Sequence, residues 1–400
     1  MNLYISLFGK RENVLSWQRF LEQEKVPFRY KGEDLGDFSL INILVGFCQD
    51  KIKRIRKSKG KIFIELKTVA PTKQELINAF NSVGLPYIHF WYYPILCPSI
   101  FLFRIDVDYV DSKGLERLFE ITKRFKIKGT YFINISGDEE FDDDIDFKPL
   151  KIPTTPKRKE ILQKLLNKGN ELANHGYRHR VYDDFGNNYR DIRRCRYYLK
   201  RLFGIKDKGF VPPGGKWNRA VAKAINKNNF LYCSHIISKT GELPFYTFYD
   251  GEKMGTLEMP FYEMSDGKFE SVLKWCQNLK SIQKVSQKLK KDYLRYVEKQ
   301  LKNNKPIAIM AHPHLLGKIA EDVLPPLFKK ISQLRIPNYT LKEFAEWWRR
   351  REKFELKYCK QDDKIIIYSN QPAFVEIIFK KNKKILWVDN KITVDLKSLK

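Results

Sequence analysis

The stretch IFLFRIDVD at 100–108 decides the fold. It is an apolar run, broken by one arginine, that ends in two aspartates, Asp106 and Asp108. A nearly continuous apolar run of this length is typical of a strand that is buried on both faces of a parallel sheet. Residues i and i+2 of a strand point to the same face, so we expect the two carboxylates to converge where the strand ends.

Strands and helices alternate on the C-terminal side of this strand. The helical segments are GLERLFEITKRF, KRKEILQKLLNKG, DIRRCRYYLKRLFG and AVAKAINKNN, and the strand segments are KGTYFINI, ELANHG, GFVPPGG and PIAIMAHPH. This alternation predicts parallel strands that are closed into a barrel or wound by helices. The chemistry of such folds gathers at the carboxyl ends of the strands, which is where this chain carries its Asp and His residues.

Changes of pattern along the 400 residues predict three domains. Residues 1–97 form a small α/β domain of unassigned role, in which Thr72 is the expected N-cap of a helix. Residues 98–350 form the barrel. Residues 351–400 contain short strands separated by polar turns and have no helical pattern, which predicts a small all-β appendage. For this appendage a packing role is favoured over a binding role.

Three histidines have a setting that fits catalysis. His175 and His179 are spaced i and i+4 after a short strand, so both rings can face one ion if the segment turns helically. His312 terminates the apolar strand IAIMA. Two histidines and one carboxylate leave coordination positions open, as a catalytic metal requires. His89 and His235 have no comparable setting and are interpreted as structural.

The net charge of +28 favours anionic partners such as phosphate-bearing substrates or a membrane surface. The densest basic run, 51–61, has no aromatic residue for base stacking, so a solvated surface explains it better than a nucleic-acid site. The acidic run 137–146 lacks the central glycine and terminal glutamate of an EF-hand loop and is interpreted as a solvated loop. We therefore expect no specific nucleic-acid partner.

The six cysteines are widely spaced and form no CxxC pair, which argues against a zinc ribbon and against a disulfide framework. The first residues contain neither a basic segment before the short apolar stretch nor a small-residue cleavage pattern, so a secretory signal is not predicted. We expect a cytoplasmic protein with reduced thiols. Peripheral association with the membrane face is a further expectation.

Four short motifs in register over 100–320 resemble those of the polysaccharide deacetylases, carbohydrate esterase family 4, whose NodB-like domain is a distorted (β/α) barrel. RIDVDYV resembles the first motif, which is usually an adjacent pair of aspartates, and ELANHGYRHR resembles the second, His-x-x-x-His. GFVPPGGKWN resembles the third motif, and MAHPH resembles the last. The resemblance implies an α/β protein in which this barrel lies between the N-terminal α/β domain and the all-β appendage.

The resemblance also implies roles for single residues. Asp108, His175 and His179 would hold one divalent ion, with zinc as the expected metal. Asp106 would be the general base and His312 the general acid. In such a reaction the metal lowers the pKa of a water molecule, the base takes its proton as it attacks the amide, and the acid protonates the leaving sugar amine.

Three positions depart from the family pattern. Val211 replaces the arginine that usually precedes the double proline and orients the catalytic base. Gly214 replaces an aromatic residue that forms one wall of the sugar pocket, so this wall is either missing or supplied by Trp217. The main-chain N–H of Gly214 is the expected oxyanion donor. A valine separates the two aspartates, which preserves both roles if the strand keeps its pleat. The fourth motif is not located, and Asp266 and Trp275 are candidates for it.

Three functions stay open. The first is a metal-dependent deacetylase that acts on an acetamido sugar of a polysaccharide or of a lipid- or nucleotide-linked precursor, so that the partner is a carbohydrate, anionic or lipid-linked. The second is hydrolysis of another amide or ester, such as a formamide or a cyclic imide, on the same scaffold. The third is a non-catalytic protein that binds glycans or polyanions. The resemblance favours the first function, and the sequence does not predict the oligomeric state.

Overall fold

The computed structural model describes residues 5–33, 39, 41–45, 62–66, 72–108, 112–136, 156–239, 241–249 and 252–399. Its contacts divide the chain into two compact units. Unit 1 comprises Met1–Leu96 and Trp348–Lys400, and unit 2 comprises Cys97–Trp347. The structure thus groups the first and the last of the three predicted domains in one unit.

The N-terminal segment of unit 1 is an α/β arrangement, as predicted. Its elements are β1 (Ile5–Phe8), α1 (Arg11–Glu24), β2 (Phe28–Gly32), β3 (Ile41–Val45), β4 (Ile62–Leu66), α2 (Lys73–Ser82) and β5 (Tyr87–Phe90). The first four strands pair in parallel in the order β2-β1-β3-β4. Helix α2 begins at the predicted cap, because Thr72 and Glu75 accept hydrogen bonds from each other's main-chain N–H groups in a capping box.

Unit 2 contains the alternating strands and helices that the sequence predicted. Its elements are β6 (Phe101–Val107), α3 (Ser112–Arg124), β7 (Thr130–Ile133), α4 (Pro156–Asn167), β8 (Glu171–Asn174), α5 (Phe185–Phe203), β9 (Gly209–Phe210), α6 (Arg219–Lys227), β10 (Tyr232–Cys233), β11 (Ile237–Ser238), β12 (Phe245–Tyr249), β13 (Glu252–Glu258), β14 (Phe261–Tyr262), α7 (Glu270–Trp275), α8 (Leu279–Asn303), β15 (Ile307–Ala311), α9 (Pro313–Leu316), α10 (Ala320–Gln333), β16 (Asn338–Tyr339) and α11 (Leu341–Arg351). Helix α11 continues into unit 1.

Nine of these strands form one sheet within the described residues, in the order β12-β13-β10-β9-β8-β7-β6-β15, with β16 also paired to β6. The pairs are parallel except for β12 with β13. Strand β6 is buried along its whole length, and the rings of Phe101 and Phe103 each contact the edge of Phe328 on α10. The architecture is the distorted (β/α) barrel that the resemblance implies.

The C-terminal segment of unit 1 consists mainly of strands, which confirms the predicted all-β character. They are β17 (Leu356–Gln361), β18 (Lys364–Ser369), β19 (Ala373–Phe379), β20 (Asn382–Val388) and β21 (Lys391–Asp395). Strand β19 pairs antiparallel with β5 and places Glu376 opposite His89. Their side chains are fully buried, and His89 Nε2 lies 2.5 Å from Glu376 Oε2. This pair therefore lies in the interior of unit 1 and joins its two segments.

Two charged runs that the sequence singled out, 51–61 and 137–146, lie outside the described residues. Within the part of the chain that the structure describes, no helix combines the length and the apolar character that a membrane crossing needs.

Glu171, at the start of β8, is a buried carboxyl group with an altered pKa. The Tyr232 hydroxyl donates to its Oε1 at 2.9 Å, and the Thr130 hydroxyl and the main-chain N–H of Lys342 both donate to its Oε2 at 3.0 Å. Burial outweighs these hydrogen bonds and raises the pKa of Glu171 from 4.5 to about 7. The fold therefore favours the protonated form of this group.

This pKa predicts a pH dependence of stability. Because the folded-state pKa lies above the unfolded-state value, the stabilisation from the bound proton is complete below pH 4.5 and is lost as the pH rises through 7. The loss corresponds to about 3 kcal/mol in the free energy of unfolding. Glu171→Gln cannot ionise, so this substitution is expected to remove the pH-dependent loss of stability. Urea unfolding of both proteins at about pH 5 and about pH 8 measures the difference, and an equal change in both proteins would contradict the prediction.

Candidate active site

Three ligand atoms meet at the carboxyl ends of β6 and β8. The Nε2 atoms of His175 and His179 lie 3.0 and 3.3 Å from Oδ1 of Asp108. The ligand atoms of the three residues all lie within 4.8 Å of one another. The structure thus brings together the three residues that the resemblance assigns as metal ligands.

The hydrogen bond of His175 tests whether this group fits a cation. Its Nδ1 lies 2.8 Å from the carbonyl oxygen of Val211, which can only accept, so Nδ1 carries a proton. In the neutral ring the lone pair of Nε2 then faces Asp108, which is also an acceptor. Two acceptors at this distance need a cation or a further proton between them. Two imidazoles and a carboxylate suit a divalent ion such as zinc, with a coordination position left open.

A tight turn lies between the two histidines. Gly176 has a φ of +82°, and a Cβ there would lie 2.8 Å from the carbonyl oxygen of Arg178. The Asp191 carboxylate of α5 accepts hydrogen bonds from the main-chain N–H groups of Tyr177 and Arg178, at 2.7 and 3.2 Å. Asp191 therefore fixes the turn that positions the second histidine. Local sequence patterns do not predict this contact, because Asp191 lies 13 residues or more from the N–H groups that it binds.

Arg104 holds the carboxylate of Asp106 on the same face of β6. Its Nε lies 2.8 Å from Oδ1 and its Nη2 lies 2.5 Å from Oδ2, and each side chain is 5% exposed. Burial raises the pKa of the Asp106 carboxyl, but the charge and hydrogen bonds of Arg104, with smaller contributions from His175 and His312, bring the pKa below its ordinary value. Asp106 is therefore ionised, as a general base must be.

Arg104 is itself anchored on its other side. Its Nη1 donates to the carbonyl oxygen of Ser234 at 2.6 Å, and the guanidinium carbon lies 4.4 Å from the centroid of the Phe261 ring. Val211, at the position where the family usually has arginine, is buried and uncharged. Strand β6 thus supplies the positive charge beside Asp106. This contact was not among the predictions from the sequence, although the i, i+2 rule places Arg104 on the same face of β6 as Asp106.

His312 follows β15 and is paired with Asp266. Its Nδ1 lies 2.8 Å from Oδ1 of Asp266, and its Nε2 lies 3.7 Å from Oδ2 of Asp108. The other oxygen of Asp266 accepts the main-chain N–H groups of His312 and Leu316, at 2.7 and 3.0 Å. Burial lowers the pKa of His312, but the Asp266 carboxylate and the nearby aspartates offset it and raise the pKa to about 10. His312 is therefore protonated, as a general acid must be.

The structure also describes the predicted substrate-binding residues and the two candidates for the fourth motif. Gly214 lies in an exposed turn over Pro213–Gly215 with a φ of +60°. Trp217 is partly buried and stacks on His235, with ring centroids 3.5 Å apart and an interplanar angle of 4°. Of the two candidates for the fourth motif, Asp266 pairs with His312, whereas Trp275 is 53% exposed. The contacts of Gly214 and Trp217 with substrate stay predictions.

Comparisons with known proteins show which family part of this chain is similar to. Residues 103–233 match the sequence profile of the polysaccharide deacetylase family. This stretch covers most of the strands that carry the site and all three candidate metal ligands. No curated protein sequence matches the chain.

The solved structures that are similar to this chain have low sequence identity to it. A protein from Mycobacterium smegmatis, assigned as a polysaccharide deacetylase, is 16% identical over 66% of this chain and 94% of its own, with a TM-score of 0.50. A Pseudomonas aeruginosa PAO1 protein with the same assignment is 14% identical over 65% and 93%, with a TM-score of 0.49. The chitin deacetylase of Colletotrichum lindemuthianum is 9% identical over 62% and 88%, with a TM-score of 0.42. Residues 103–233 of the chain are therefore similar to the polysaccharide deacetylase family.

Proposed function

We propose that this protein is a metal-dependent hydrolase that removes the N-acetyl group from an acetamido sugar, in a polysaccharide or in a lipid- or nucleotide-linked glycan precursor. The observation that carries the proposal is the position of Asp106 and His312 beside a set of ligands for a divalent ion. An ionised Asp106 and a protonated His312 lie near a set of ligands for a divalent ion. Amide hydrolysis needs a base and an acid whose pKa values are pushed apart by their surroundings.

Asp108, His175 and His179 would hold the divalent ion, with zinc as the proposed metal. Such an ion, when bound, makes a water molecule more acidic and polarises the carbonyl group of an amide. The chain's own residues supply the remaining functions. Arg104 keeps the Asp106 carboxylate in one orientation through two hydrogen bonds. The main-chain carbonyl of Val211 keeps the first histidine in the tautomer that suits ligation.

Each proton transfer has an assigned atom. The carboxylate of Asp106 accepts a proton from the attacking water. The Nδ1–H group of His312 donates to Asp266, so the second proton of the imidazolium is on Nε2, which gives it to the leaving sugar amine. Asp266 orients the ring and stabilises its charged form, as the carboxylate of a catalytic triad does.

The net charge of +28 supports an anionic substrate, such as a glycan linked to a nucleotide or to a lipid diphosphate. Location in the cytoplasm and peripheral association with a membrane face belong to the same proposal, because they would place the protein beside such precursors. Trp217 and the main-chain N–H of Gly214 are the proposed contacts with the sugar and with the oxyanion.

Acetate release tests the proposal. We expect the zinc-loaded protein to release acetate from oligomers of N-acetylglucosamine or from a nucleotide-linked N-acetylhexosamine. Chelation should lower the rate to background, and added Zn²⁺ should restore it. Release of formate from N-formyl analogues without acetate release would favour hydrolysis of another amide. Zinc uptake with release of neither acid would contradict removal of an acetyl or a formyl group, and retained binding of the oligomers would then favour the non-catalytic alternative.

A further inference from the structure

A second group of potential ligands lies outside the site described above. Cys233 ends β10, His235 follows two residues later, and Glu258 ends β13. These two strands pair in parallel, and their register places Cys233 directly beside Glu258. The chain register, rather than chance contact of flexible side chains, therefore brings the group together.

The three side chains point their donor atoms at one another. The Cys233 sulfur lies 3.0 Å from Glu258 Oε2 and 3.6 Å from His235 Nδ1. The same Nδ1 lies 2.6 Å from Glu258 Oε2. The cysteine is 1% exposed, the glutamate is fully buried, and the histidine side chain is 8% exposed. The donor atoms thus surround one small, water-poor volume.

Neighbouring groups hold these side chains in place. Oε1 of Glu258 accepts the main-chain N–H groups of His235 and Ile236, both at 2.9 Å, which leaves Oε2 to face the other two side chains. The ring of Trp217 stacks on the imidazole and fixes its plane. A buried site whose members are oriented by further contacts is characteristic of a binding centre for a metal ion.

The geometry does not fit a nucleophile with a proton relay. A relay through histidine uses both ring nitrogens, one for the nucleophile and one for the carboxylate. Here Cys233 and Glu258 both face Nδ1 of His235. Three donor atoms around one point is the arrangement of ligands around an ion. Without an ion, Oε2 accepts both the thiol proton and the ring proton, and these are the protons that a cation would displace.

We infer that Cys233, His235 and Glu258 bind a second Zn²⁺ ion, distinct from the ion proposed for the catalytic site, and leave its fourth coordination position open. Zinc favours the combination of thiolate, imidazole and carboxylate over Mg²⁺ or Ca²⁺, which prefer oxygen ligands alone. Tetrahedral bond lengths place a sulfur and a nitrogen ligand roughly 3.5 Å apart, close to the distance between these two atoms in the structure. On zinc binding, Oε2 of Glu258 would move away from the Cys233 sulfur and from His235 Nδ1 by roughly 0.5–0.8 Å.

Binding is balanced by the release of protons. The thiol proton leaves to solvent as the thiolate–zinc bond forms. The proton on Nδ1 is replaced by the metal, and the neutral ring keeps its proton on Nε2 instead. The ion would tie the end of β10 to the end of β13, next to Ser234, whose carbonyl anchors Arg104.

Zinc content and X-ray absorption at the zinc edge test the inference. We expect two zinc ions per wild-type chain and one in Cys233→Ser, with two retained in the control Cys276→Ser, since Cys276 is outside the group. His175→Ala should also contain one zinc ion, which is the ion bound by Cys233, His235 and Glu258. The absorption spectrum of wild type and of His175→Ala should contain a sulfur neighbour at about 2.3 Å, and that of Cys233→Ser should not.

The sulfur signal separates this inference from the proposed function. The catalytic ligands are oxygen and nitrogen atoms only, so a sulfur neighbour reports the second site whether or not the protein releases acetate. Wild-type protein with one zinc ion and no sulfur neighbour would overturn the inference. So would Cys233→Ser with two ions. The wild-type spectrum decides the question even if Cys233→Ser does not fold.

Discussion

Replacement of Asp106 by asparagine is expected to lower kcat for acetate release by about 10²- to 10⁴-fold, the usual contribution of a general base. Asparagine has nearly the shape of aspartate but cannot take the proton of the attacking water. The content of catalytic zinc should stay unchanged, because Asp106 is not one of the three ligand residues. Initial rates at saturating substrate, together with zinc content, provide the measurement.

A loss of folding could imitate this loss of catalysis. The substitution leaves Arg104 without its counter-charge at a place where both side chains are 5% exposed. An unpaired buried charge lowers the free energy of unfolding by about 3–5 kcal/mol. The double variant Arg104→Met/Asp106→Asn removes both charges. We expect it to regain most of the free energy of unfolding but none of the activity, and recovery of activity would contradict the role of Asp106 as base.

Arg104→Met alone is expected to lower both the free energy of unfolding and kcat. It leaves the buried carboxylate of Asp106 unpaired, which lowers the free energy of unfolding by about 3–5 kcal/mol. It should also lower kcat, because the base loses the two hydrogen bonds that orient it. Urea unfolding and initial rates measure the two effects separately.

Arg104→Lys is the matched control for this variant. Lysine keeps the positive charge but cannot donate two parallel hydrogen bonds to one carboxylate, so we expect a kcat between those of the wild type and of Arg104→Met. A wild-type kcat in Arg104→Met, in protein that is folded and loaded with zinc, would refute the positioning role of the arginine.

Position 211 offers a rescue experiment. The resemblance places the arginine that orients the base at this position, where the chain has Val211. We expect Arg104→Met/Val211→Arg to regain part of the kcat that Arg104→Met loses. In the wild-type background the same substitution should lower stability, because Val211 is fully buried and a second guanidinium would lack a partner there. If the double variant is no more active than Arg104→Met, an arginine at position 211 cannot orient Asp106, and only an arginine on β6 can do so.

The sequence predicted those parts of the site that follow from short spacings. The i, i+2 rule grouped Asp106 with Asp108, and the i, i+4 spacing grouped His175 with His179. The helical turn assumed for the two histidines is wrong, because the segment between them turns at Gly176, which has a positive φ. The apolar strand before His312 indicated its place at a strand end. All five lie at the carboxyl ends of barrel strands in the structure, because alternating strands and helices determine which edge of the sheet they reach.

Contacts between distant segments were beyond these rules. Asp266 reaches His312 across 46 residues, and Asp191 fixes the turn between the histidine ligands from a helix further along the chain. The register that places Cys233 beside Glu258 depends on strand pairing that spacing does not encode. Arg104 is different, because the i, i+2 rule places its side chain on the same face of the strand as Asp106.

The pairing of β5 with β19 has a consequence for protein synthesis. On the ribosome, the edge of β5 emerges early, whereas its partner, Ala373–Phe379, is translated only after the whole barrel unit. At about 5–20 residues per second the wait is roughly a quarter of a minute to a minute. An uncovered strand edge is a template for aggregation, so the risk during expression depends on the length of this interval more than on the stability of the finished unit.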